Sequence, residues 1–209
     1  MSNCAFVGDW ADKRVAGYLH MLSVVTPSER FSHPLRTKPG RSGSRASVDP
    51  SRNNLLAAVP HRWFDLQVEQ SNVLSFPQGE AMQTEHEEVA SVYFPLSGMV
   101  SLLVVMKDGR TVESAVIGRE GVTGARAGLG LHTSVARVVA QLPMSALVIS
   151  AIALRKLVSQ SDEIQDLCVK STDTLLKQVS VTAACNSLHV VEARFCRWLL
   201  HTSDRAESD

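Results

Sequence analysis

Few residues of this 209-residue chain stand at spacings that support chemistry. The four cysteines, Cys4, Cys168, Cys185 and Cys196, form no Cys-x-x-Cys pair and no Cys/His set with zinc-finger spacing. Three of them fall in segments that read as helix, on or near apolar faces, where a free thiol packs as a small hydrophobe. His86-Glu87-Glu88 comes nearest to a metal-ligating triplet. No second histidine follows in range, so a charged loop is the simpler reading and no metal is expected. Cys185 and His189 lie four residues apart, which suits a packed thiol beside a polar residue at a helix end. No Ser/His/Asp elbow, phosphate loop or paired-carboxylate pattern is present, so no enzyme is expected.

The elements that would position any site divide into two textures. From Pro27 to Arg52 the chain is rich in Ser, Pro, Gly and Arg and poor in apolar residues. Such a stretch buries too little surface to offset the entropy of ordering, so residues 1–52 are expected to be a disordered extension. The whole chain is 44% hydrophobic and 20% charged, enough for a core. Its formal net charge is zero, so no global field draws it to nucleic acid or to a membrane. No run of about 18 apolar residues suggests a membrane span, and the start lacks the order of a secretory signal. A reducing cytoplasm is the expected compartment.

From Asn53 the pattern tightens. Leu55, Leu56, Val59, Trp63 and Phe64 fit one face of a short helix. Short β-type runs follow at 73–76, 81–84, 91–94, 99–106, 111–117, 135–140 and 146–149, with turn signals between them. Asp108-Gly109 is a hairpin signal, and Pro95-Leu96-Ser97-Gly98 reads as a turn. Closely spaced strands without long intervening helices argue for an antiparallel sandwich or roll. After Ser150 the period becomes helical. Ala151 to Val158 is a short helix. Ser161 is an N-cap with Asp162 and Glu163 in the favoured first turn. Ile164, Cys168, Ser171, Leu175, Val179 and Thr182 then recur at four- and three-residue steps. They mark one face of a helix of about 23 residues, roughly 35 Å long. That face could pack on its own domain or on the same helix of a second copy. Asn186 and Ser187 offer a new cap before a last helix that reaches about His201.

The segment SVYFPLSGMVSLLVVMKDGRTVESAVIGREGVTG (91–124) resembles the central hairpins of the Crp/Fnr superfamily of transcription regulators. TAACNSLHVVEARFCRWLLHTSDR (182–205) is similar to the end of that family's dimerisation helix and the helix beyond it, and NNLLAAVP (53–60) adds to the match. The resemblance spans roughly residues 53–205. It implies a mainly β domain with flanking helices, a double-stranded β-helix or jelly roll of the cyclic-nucleotide-binding type, followed by a long dimerisation helix. The implied organisation is a roll over 53–160, the dimerisation helix over 161–185, and a segment 186–209 leading toward a helix-turn-helix that is expected to be missing from this chain.

Family members that bind cyclic nucleotides use backbone amides, a Glu for the ribose and an Arg-Ser pair for the cyclic phosphate, where the planar arginine fork meets two oxygens. The corresponding turn here is Gly118, Arg119, Glu120 and Gly121. Both glycines match, but Arg119 takes the place of the Glu. The Arg-Ser pair falls on Ser134 and Val135, and Arg137 lies three positions late, on the other face of its strand. The phosphate anchor is thus expected to be lost and no cyclic nucleotide cofactor is expected, although Arg119 or Arg126 could rebuild an anion site. The metal set of the cupins and the cysteine set of an Fnr-type iron–sulfur sensor are not matched. The expectation is an effector-responsive sensor of unidentified effector, homodimeric through Ile164, Cys168, Ser171, Leu175, Val179 and Thr182. It would meet DNA only through the missing helix-turn-helix and would have no membrane contact. The alternatives are a stand-alone dimerisation module that inhibits full-length regulators, or a genuine cyclic-nucleotide receptor.

Overall fold

The computed structural model of the chain describes residues 49–59 and 71–206. A 3-10 turn, Pro50–Arg52, leads into the short helix α1, Asn54–Ala57. Residues 49–52, the end of the expected extension, are structured, because Asp49 caps the turn and Asn53 caps the helix. Trp63 and Phe64, assigned to this helix from sequence, lie outside the described residues.

Among the described residues seven strands follow: β1 (Asn72–Phe76), β2 (Ala81–Gln83), β3 (Ser91–Ser97), β4 (Val100–Val105), β5 (Thr111–Ile117), β6 (Arg137–Ala140) and β7 (Met144–Ser150). They form two antiparallel sheets, ordered β1-β7-β3 and β2-β6-β4-β5. The expected β-rich roll is what the chain forms. Pro95 does not end β3, contrary to the turn expected at 95–98. β3 is an edge strand paired to β7, where a missing N–H costs no ladder bond, and a register shift between Pro95 and Ser97 absorbs the irregularity. The chain turns at Gly98 instead, with φ of 65°. A Cβ there would collide with the Pro143 carbonyl, so glycine is required on two counts.

Three helices complete the fold: α2 (Ala151–Val158), α3 (Asp162–Leu188) and α4 (Val191–Ser203). Ser150 Oγ accepts from Ala153 N at 3.1 Å and Ser161 Oγ from Ile164 N at 3.3 Å, so both helices start at hydroxyl caps. α3 outruns its expected end. Ser187 does not cap a new helix; its hydroxyl donates back to the Ala183 carbonyl at 2.9 Å, inside α3. The break falls at His189 and Val190, which are both extended.

Two apolar clusters hold the roll. One joins Leu56, Phe94, Val122, Leu154, Ile164 and Cys168, and so ties α1, α2 and the start of α3 to the first sheet. The other joins Phe76, Val100, Leu102, Ile117, Val138 and Met144, with Leu175 and Val179 of α3 packed against it. Burial at about 25 cal/mol per Å² of apolar surface drives both contacts.

Candidate functional site

A cavity lies where the second sheet, the turn after β5 and α3 meet. Ile117, Leu102 and Val138 give it an apolar wall. Thr123 is fixed by a two-way backbone bridge to Tyr93, at 3.1 and 3.0 Å, so its side chain stays at the cavity. Gln83 of β2 donates from Nε2 to Ser134 Oγ, and Ser134 in turn donates to the Ala136 carbonyl at 2.6 Å. α3 contributes Ser171, Thr172 and Leu175.

The polar groups here are under-used. Gln83 Oε1, Thr123 Oγ1 and Ser171 Oγ are all buried without a hydrogen-bond partner, and all three residues line the cavity. A buried polar atom left unpaired costs about 1–3 kcal/mol. Three around one space leave it hydrogen-bonding capacity that the chain itself does not use. The free space is about 60 Å³. That holds a few waters, whereas sites for drug-sized ligands run to roughly 300–1,000 Å³.

The residues assigned from sequence divide between this cavity and other work. Ser134 and Val135 line it, Ser134 buried and Val135 60% exposed. Gly118, Arg119, Glu120 and Gly121 do not. Their turn is a structural junction: the Arg119 carbonyl accepts from Asn54 N at 2.8 Å, the Gly121 carbonyl from Asn53 Nδ2 at 3.0 Å, and Glu120 pairs with Arg205. Arg137 forks onto Glu85 at 3.1 and 3.0 Å while its neighbours Ala136 and Val138 line the cavity, as strand alternation requires. Arg126 does reach the cavity. It is carried by a 3-10 turn, Ala125–Leu129, that the sequence reading omitted. Gly124 and Gly130, both left-handed, bracket that turn and were its visible signal.

The six residues assigned to a dimer seam lie on the side of α3 turned toward the rest of their own chain. Ile164, Cys168 and Thr182 are buried within the chain, Leu175 and Val179 pack on the second cluster, and Ser171 lines the cavity. The periodicity identified a face that packs, and its small Ser and Thr side chains suit close approach to a sheet. Burial also pushes the Cys168 thiol up to about 11, so it packs rather than reacts. Among the described residues no group of three His, Cys, Asp or Glu could hold a metal, and no helix is long and apolar enough to cross a membrane.

Residues 73–161 match the family model of the cyclic nucleotide-binding domain. The match spans the roll and α2. Solved structures share its fold. The c-di-GMP responsive global regulator CLP of Xanthomonas campestris is 16% identical, with a TM-score of 0.56 over 67% of this chain and 70% of that one. FixK2 from Bradyrhizobium japonicum is 17% identical, with a TM-score of 0.56 over 66% and 68%. A putative cyclic nucleotide binding protein from Ruegeria pomeroyi is 18% identical, with a TM-score of 0.50 over 68% and 63%. At these identities the likeness establishes the fold. No curated protein matches the chain in sequence. The likeness thus assigns the roll's architecture, while the residues lining its cavity decide what enters.

Proposed function

We propose that this chain is the effector-sensing and dimerising part of a Crp/Fnr-type transcription regulator, acting in the cytoplasm and without catalysis. The observation that carries this reading is the shared wall of the cavity. Ser171, Thr172 and Leu175 belong at once to the lining and to α3. With about 60 Å³ free, any guest larger than a few waters must displace that wall. A guest would gain the unpaired Gln83, Thr123 and Ser171 atoms, and so would favour whichever position of α3 admits it.

The lining supports an effector other than a cyclic nucleotide. At the positions of the cyclic-phosphate pair stand a hydroxyl already bonded to the roll, Ser134, and an isopropyl group, Val135. Arg126 offers one cationic group at a different point of the lining. A compact polar molecule with at most one anionic group suits that set. Calorimetry with cyclic AMP and cyclic GMP is expected to show no micromolar binding.

Dimerisation in this reading uses the outer side of α3. Val169, Leu176 and Ala183 recur every seven residues, and all are exposed. Seven residues return a helix to nearly the same azimuth, which is the repeat of a coiled-coil seam. α4 would continue toward a DNA-reading domain, so a shift of α3 would reach it through His189 and Val190.

Equilibrium dialysis against a metabolite extract, with mass spectrometry of what is retained, tests the sensing role. A small molecule enriched by the wild-type chain, and not by Thr123→Phe, is expected. Enrichment of nothing, or equal enrichment by both proteins, would contradict it.

A further inference from the structure

A second cavity, of about 410 Å³, opens where β5 meets the end of α3 and the length of α4. None of its lining residues is shared with the first cavity. Arg194 and Arg197 both line it; three apart on α4, they sit on one side of that helix. The Nε of each is buried without a hydrogen-bond partner. Arg197 is steadied by a 3.1 Å hydrogen bond from Nη1 to Thr182 Oγ1 on α3. The Phe195 and Trp198 rings, also in the lining, stack with centroids 6.3 Å apart and planes 14° from parallel.

Two guanidiniums share a lining with one acid, Glu113. Burial pushes its carboxyl above the usual range, against hydrogen bonds from Ser101 and Trp198 and the charge of Arg197. His201 is held below its ordinary value by burial and by Arg205 and Arg197, which keeps it neutral at pH 7. Buried guanidinium N–H groups without an acceptor are costly, and a planar oxyanion meets two such forks at once.

We propose that this cavity is a second ligand site, for a small aromatic oxyanion whose carboxylate or phosphate lies between Arg194 and Arg197 and whose ring lies along Phe195 and Trp198. Such a ligand would touch β5, α3 and α4 together. It would fix the angle across the His189–Val190 break, an input separate from the first cavity.

The test uses the full chain carrying Trp10→Phe and Trp63→Phe, which leaves Trp198 as the sole tryptophan of three. Phenyl phosphate and benzoate are titrated, with inorganic phosphate as the ring-free arm and benzyl alcohol as the neutral one. Saturable quenching of Trp198 by an aromatic oxyanion is expected, with Kd below about 1 mM. Inorganic phosphate should compete more weakly and benzyl alcohol should not. Arg194→Gln should weaken binding at least tenfold and Glu113→Gln should tighten it. Arg194→Lys keeps the charge for the fold but loses the fork, and should fall between. No saturable quenching by either oxyanion up to about 10 mM would overturn the proposal. So would quenching that benzyl alcohol reproduces, or that survives Arg194→Gln and Arg197→Gln together.

Discussion

Arg205 Nε donates to Glu120 Oε1 at 2.7 Å, across 85 residues of sequence, and Arg205 Nη1 donates to the His201 carbonyl at 3.0 Å. The turn that in cyclic-nucleotide-binding relatives belongs to the ligand cassette is here fastened to the residue just past α4. Gly118 permits the approach, since a Cβ there would stand 3.0 Å from Arg205 Cγ and 2.8 Å from the Glu120 carboxylate.

Glu120→Gln should therefore loosen α4 locally rather than unfold the domain. Glu120 is 44% exposed at its side chain, so the pair is partly screened and its loss should cost under about 1 kcal/mol. Hydrogen exchange should accelerate over residues 200–206 and stay unchanged in the β-strands. Unchanged exchange in the last turn of α4 would show that the pair fastens nothing.

Asn53→Ala should be far more damaging. Asn53 is fully buried and spends its whole amide: Oδ1 accepts from Leu55 N and Leu56 N, and Nδ2 donates to the carbonyls of Pro95 and Gly121. Loss of a cap and of two buried bonds should cost about 2–4 kcal/mol in urea unfolding. A cost under about 1 kcal/mol would mean that α1 is not a fixed part of the roll.

The contrast between these two residues shows what the sequence could disclose. β5 and α2 were read to their ends, because Asp108-Gly109 and the change of period after Ser150 are local signals. Asn53 was visible only as the start of a helix; its bonds to residues 42 and 68 positions away are tertiary. Likewise the stripe from Ile164 to Thr182 showed that one face of α3 packs, but not on what. The cavity was half legible: Ser134 and Val135 were placed through family likeness. Arg126 was weighed without a location, and Gln83, Thr123 and Ser171 carry no local mark of their convergence.

Thr123→Val tests whether the unpaired hydroxyls serve a guest rather than the fold. The two side chains have nearly the same shape, and Thr123 Oγ1 has no partner. The substitution should leave stability unchanged or raise it by up to about 1 kcal/mol, while lowering retention of the enriched metabolite. A loss of stability beyond about 1 kcal/mol would show that the hydroxyl is structurally engaged.

Glu113→Gln should change the pH dependence of stability. Burial raises the folded carboxyl above its ordinary value of 4.5, against hydrogen bonds from Ser101 and Trp198 and the charge of Arg197. A raised folded value means that its contribution is full below the unfolded value and is lost as pH rises through the folded one. The variant should therefore melt higher than wild type at pH 7, with the gap closing below about pH 4.5. A variant that melts lower at pH 7 would mean that the carboxylate is net stabilising.

The central claim is that α3 has two working faces, an inner one on the roll and an outer one for a second copy. Size-exclusion chromatography with multi-angle light scattering reads this directly. Wild type should elute at twice the monomer mass. Leu176→Glu, on the outer face, should elute as a monomer with an unchanged thermal midpoint, and Leu175→Asp, on the inner face, should lower that midpoint. A monomeric wild type, or a dimer that survives Val169→Glu and Leu176→Glu together, would contradict the account.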